Sequence, residues 1–139
     1  GLQCVLALIA GSLLGAVLHL GGVDLPWSEA GVALSVIIAG ALMLARRRIA
    51  PLVLAGGLAL AGMLHGHAYA ESIFGAEPTP LVAYLIGFSL AQCGVAMAAL
   101  WAHRWLIAAH ASWARPVSAA LGAAVSAIGA LFLASGIAG

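Results

Sequence analysis

The chain has 139 residues, of which 65% are hydrophobic and only 6% charged, with a formal net charge of +1. A soluble domain covers its exterior with roughly a quarter charged residues, so water is excluded as the solvent for most of this surface and a bilayer takes its place. The charges are five arginines and four acids, with no lysine; no basic patch is interleaved with aromatics, which excludes a nucleic-acid partner.

The pattern predicts an all-α fold, a polytopic transmembrane helix bundle of about five spans forming a single domain in membrane lipid, since a spanning helix needs about 20 mostly apolar residues. The first span covers 2–20 and ends at Gly21-Gly22, before a polar turn holding Asp24, Pro26 and Trp27. The second covers 28–45; Ser28 and Glu29 resemble a helix N-terminus, and Arg46, Arg47 and Arg48 follow it. Pro51, favoured in a first helical turn, opens the third, over 51–69. A loop rich in turn residues leads from Glu71 to Pro80. The fourth span covers 81–102, and a loop with His103, Arg104, His110 and Arg115 separates it from the fifth, over 116–138.

Short loops rich in Lys/Arg stay on the cytoplasmic side. All five arginines fall in the two loops of one face, and Asp24, Glu29, Glu71 and Glu77 in or beside the loops of the other. The arginine loops are therefore expected in the cytoplasm of a bacterial inner-membrane protein. Trp27, Trp101, Trp105 and Trp113 lie near predicted membrane edges, where amphipathic rings anchor a span. Small residues such as the Gly11/Gly15 pair and Gly122 with Ser126 allow backbones to approach closely, within one subunit or between copies. Cys4 and Cys93 show no CxxC spacing and read as packing residues. The chain starts at Gly1 rather than methionine, from which a missing N-terminal segment is expected.

The stretch His65-Gly66-His67-Ala68-Tyr69-Ala70-Glu71 places two imidazoles and a carboxylate at the outer end of an apolar span. Ionisable groups are costly there and usually face the bundle interior, marking a pathway or ligand site. Imidazole suits nickel, copper, zinc and cobalt, so His65, His67 and Glu71 are candidate metal ligands. On a regular helix His67 and Glu71 share a face, but His65 and His67 are about 200° apart. Binding by all three requires an unwound turn, for which Gly66 offers a hinge; the alternative is a wetted interface holding no ion. His19, at the outer end of the first span, is a weaker candidate ligand. His103 and His110 are candidates for a metal exit or are simply solvated. Asp24, Glu29 and Glu77 gather cations at the outer mouth or are merely hydrated.

No enzyme is indicated. Ser12, Ser35, Ser89, Ser118 and Ser126 lie in apolar helices, where they bond to their own backbone or across helices. No nucleotide motif or HExxH motif occurs.

The segment LHGHAYAESIFGAEPTPLVAYLIGFSLAQ resembles the HupE/UreJ family of hydrogenase and urease accessory membrane proteins, which are thought to be nickel or cobalt permeases. The similarity is strongest over 63–92 and extends over the whole chain. The family pattern, Phe-His-Gly-x-Ala-His-Gly followed by Glu, carries onto His65, Gly66, Ala68 and Glu71. Leu64 stands for the phenylalanine, Tyr69 for the second histidine and Ala70 for the later glycine, Glu71 falls one residue early, and His67 is placed to compensate for the lost imidazole. The family's second motif, His-Pro-x-x-Gly-x-Asp-His, does not occur in this sequence, so the resemblance implies a six-helix permease with that motif on a preceding span. Two functions follow as expectations. One is a permease for Ni2+ or Co2+ with no tightly bound cofactor; the other is a small noncatalytic subunit docked into a larger membrane complex, or a homo-oligomer.

Overall fold

The structure, a computed structural model, describes residues 2–45, 49–73 and 78–138. Arg46, Arg47, Arg48 and Glu77, on which part of the expected orientation rests, lie outside the described residues.

The described residues form helices α1 (Leu2–Leu20), α2 (Ser28–Ala45), α3 (Pro51–Ser72), α4 (Pro78–Ala109) and α5 (Ala111–Ala138). Each is long and apolar enough to cross a membrane. In hydrocarbon a backbone must satisfy its own polar groups, and Ala/Leu-rich helices do so at the lowest cost. The chain is accordingly an all-α, multi-pass membrane protein. Large side chains such as Leu6, Leu14 and Val17 of α1 and Leu131 and Phe132 of α5 are exposed, as lipid-facing residues are.

Helices α1 and α2 keep the expected bounds, and α3 continues to Ser72. The last two spans differ. The loop expected between Trp101 and Pro116 is helical except at His110, whose carbonyl takes the first N–H bonds of α5 from Trp113 and Ala114. The segment is alanine-rich and holds neither glycine nor proline before Pro116, so helix propensity carries it past the membrane edge. At 32 residues, α4 is about 48 Å long and exceeds a hydrocarbon core of about 30 Å.

The helices group into two compact units, Gly1–Ser28 with Ala50–Met97, and Glu29–Ile49 with Ala98–Gly139. In the first, α1 and α3 run parallel in near backbone contact. A Cβ at Gly11 or Gly15 would overlap the carbonyl of Ala59 or Met63, and one at Gly62 or Gly66 that of Leu8 or Ser12. Two interlocked GxxxG pairs thus fix the register. The N-terminal half of α4 runs antiparallel to α3: Tyr69 stacks on Phe88 with centroids 4.2 Å apart and donates to the Tyr84 carbonyl at 3.4 Å, while Gln92 reaches Ser12, which lies against Gly66. In the second unit α2 and α5 are antiparallel. A Cβ at Gly40 would meet Gly122 and Ser126, and one at Gly129 would meet Ala33 and Ile37.

Candidate metal site

The parallel register of α1 and α3 decides which polar groups meet at their C-terminal ends. With Ser12 against Gly66 and Gly15 against Met63, the next turns set His19 beside His67. Their rings meet edge to face, centroids 4.5 Å apart, and His19 Nδ1 lies 3.3 Å from His67 Nε2. Both are buried, His67 to 2% exposure.

The chain after α1 then folds back over this pair. Val23 N–H donates to the Leu18 carbonyl and Gly22 N–H to that of His19, with Gly22 at φ +82°. This paired bonding around a left-handed residue ends a helix while reversing its chain, and glycine adopts that conformation without a Cβ penalty. The reversal places Asp24 Oδ1 at 3.7 Å from His19 Nδ1. That is too long for a hydrogen bond but suits a shared cation. It also sets the Leu25 N–H 3.1 Å and the Val23 carbonyl 3.0 Å from His67 Nε2. One proton decides between them: bare Nε2 accepts from Leu25, while protonated Nε2 donates to Val23. His67 Nδ1 is buried with no hydrogen-bond partner.

The candidate ligand atoms of His19, Asp24 and His67 all lie within 4.8 Å of one another. Two nitrogens at 2.0–2.1 Å from a tetrahedral ion stand about 3.3 Å apart, so the observed imidazole separation needs little adjustment to hold one. The Leu25 N–H occupies one lone pair, and an ion taking His67 Nε2 displaces it.

Of the residues singled out in the sequence, His67 and His19 come together, while His65 and Glu71 are not members of this group. His65 is half-buried and falls on the face of α3 that carries Tyr69 one turn further along. Glu71 is exposed at the helix end, and Asp24 supplies the carboxylate beside the imidazoles in its stead. No turn unwinds, because α3 is helical throughout and Gly66 serves close approach to Ser12 rather than a hinge. His103 and Arg104 are exposed on α4, and His110 packs edge-on to Trp105.

Gln92, which sequence reasoning passed over, is the single amide side chain of the apolar run 81–102 of α4, and that was its signal. Its Nε2 donates to Ser12 Oγ at 3.0 Å, and Ser12 donates to the Leu8 carbonyl at 2.9 Å.

A family model described as HupE / UreJ protein matches residues 1–132. No curated protein and no solved structure matches the chain.

Proposed function

Because the chain belongs to the HupE / UreJ family, associated with nickel and cobalt uptake for hydrogenase and urease, we propose that it is a secondary permease carrying Ni2+ or Co2+ inward across the bacterial cytoplasmic membrane. The family is one of membrane accessory and transport proteins and is not known for catalysis.

The observation that carries this reading is the approach of His19 Nδ1 to His67 Nε2, 3.3 Å, with Asp24 beside them. Two imidazoles select borderline first-row metals over magnesium and calcium, and one carboxylate lowers the cost of bringing a divalent charge to the membrane rim. A transported ion must also leave, so few protein ligands and retained water are an advantage. Glu71 and Asp24 gather ions at the outer mouth, His19 and His67 capture them, and His65, on another face of α3, takes part in the next step inward. Arg104 and Arg115, with Arg46, Arg47 and Arg48, mark the cytoplasmic side by the bias of positive charge.

Nickel and cobalt uptake by cells producing the protein tests this. His67→Ala is expected to lower uptake at least about tenfold with the protein still in the membrane, and His65→Ala to lower it as well. Uptake that ignores both changes removes the claim for these histidines, and uptake no higher than that of cells lacking the protein removes the permease reading. A stoichiometric protein partner retained in mild detergent, with no response to either metal, replaces it with that of a noncatalytic subunit.

A further inference from the structure

We propose that Ser89 and Gln92 of α4, with Ser12 of α1, form a second step for the permeating cation, deep in the membrane, that holds the ion through its bound water. This rests on the permease reading above and adds a site to it.

Three buried side-chain atoms among the described residues lack a hydrogen-bond partner: His67 Nδ1, Ser89 Oγ and Gln92 Oε1. All three belong to the unit that carries the imidazole pair. Leaving such an atom unmet is costly in a protein interior, and hydrocarbon offers no water in compensation. A bond that merely fastens two helices accounts for the Gln92 Nε2 contact with Ser12 and for nothing else. Reversing the amide does not help. Oε1 would then face Ser12 Oγ, whose proton is committed to Leu8, and if that proton turned to Gln92 both amide N–H groups would be left unmet. In either orientation half of this amide awaits a partner that the described protein groups do not supply.

Depth gives the unmet atoms a place on a path. Ser12 precedes His19 by seven residues of α1, about 10 Å further into the membrane. Gln92 lies eleven residues beyond Leu81 on α4, about 16 Å in and so near the middle of a core of about 30 Å. Ser89, one turn outward on the same face of α4, stands between that level and His67.

The chemistry of the atoms selects the guest. With Gln92 Nε2 donating to Ser12, the carboxamide oxygen and the Ser89 hydroxyl oxygen are placed to accept hydrogen bonds from the polarised waters around a divalent cation. Neutral oxygens are weak ligands for nickel or cobalt beside imidazole, so the inner step binds less tightly than the outer one. Descending affinity of that kind lets an ion leave the imidazoles and continue.

The test uses the full chain in lipid nanodiscs for nickel binding and in proteoliposomes for nickel uptake. Ser89→Ala keeps the Gln92–Ser12 bond; it is expected to slow uptake about fivefold or more while the unfolding temperature and the affinity of the outer site stay as in wild type. Ser89→Thr, which retains the oxygen, is expected to recover most of the rate. Gln92→Glu, which adds a charge for the ion, is expected to tighten the weaker binding event about tenfold or more and to slow release. Uptake by Ser89→Ala within twofold of wild type, or loss in Ser89→Ala that follows loss of folded protein and is not recovered in Ser89→Thr, overturns the inner step and leaves the permease reading standing. Wild-type protein that neither binds nor carries nickel overturns both.

Discussion

The α1/α3 pair and the α2/α5 pair are held by the same device and differ in what they hold. Each brings two backbones together at glycines: Gly11, Gly15, Gly62 and Gly66 in the first, Gly40, Gly122 and Gly129 in the second. In lipid, where apolar side chains gain little by leaving one greasy surface for another, that close contact is the main source of helix association. Yet Ser126, the polar side chain described in the second interface, turns its hydroxyl to the Ile37 carbonyl at 3.4 Å and is satisfied. The first interface carries two buried imidazoles and, where α4 meets α1, an amide whose bonding capacity is only partly used. Glycine packing is therefore a scaffold common to both pairs, and among the described residues the buried polar atoms without a partner lie in the unit of the first.

Overfilling each scaffold breaks the comparison most severely. Gly66→Val drives its side chain into the Ser12 carbonyl, and Gly40→Val meets Gly122 and Ser126. Each is expected to cost about 1–3 kcal/mol or more, because rigid backbone rather than a flexible side chain stands in the way. Thermal unfolding in detergent should show a similar fall for both. Nickel affinity of the folded fraction should separate them: Gly66→Val shifts the register that pairs His19 with His67 and weakens binding, whereas Gly40→Val leaves it intact. Equal loss of affinity in the two variants would mean that the site depends on more than the α1/α3 pair.

That dependence on register explains what was legible in the sequence and what was not. The five spans could be read because each needs only a run of apolar residues ended by Gly, Pro or Arg. The α4–α5 junction could not, because alanine favours helix in water as well as in lipid. Within the candidate site, neighbours in sequence were misleading: His65 and His67 are two apart and point to different faces of α3. His19 and His67 are 48 positions apart, and they meet only through the parallel interlock of Gly11, Gly15, Gly62 and Gly66. Asp24 joins them through the chain reversal at Gly22, a local backbone event that composition does not reveal.

Asp24 gives a smaller and more discriminating effect. Its side chain is 89% exposed, so its attraction for a cation is screened by solvent and salt. Asp24→Asn is expected to weaken nickel capture about two- to fivefold at low ionic strength and less at high salt, seen as a raised KM for uptake with little change in kcat. A loss as large as that of His67→Ala, independent of salt, would make Asp24 a direct ligand in the bound state.

The smallest effect comes from glycines of α3 that face nothing. A Cβ at Gly57 finds no atom within 4 Å, whereas at Gly62 it would meet the Leu8 carbonyl. If glycine in this helix served only to keep lipid-exposed backbone slender, both positions would tolerate alanine equally. If close approach to α1 is the reason, Gly62→Ala destabilises while Gly57→Ala gains about 0.5–1 kcal/mol from the lower backbone entropy of alanine outside the folded helix. Thermal unfolding of the two variants in one detergent distinguishes these readings. A lowered midpoint for Gly57→Ala would carry a further meaning, since the only way to crowd an open position is to cover it: the exposed face of α3 would then be an interface with another copy of the chain or another membrane protein rather than with lipid.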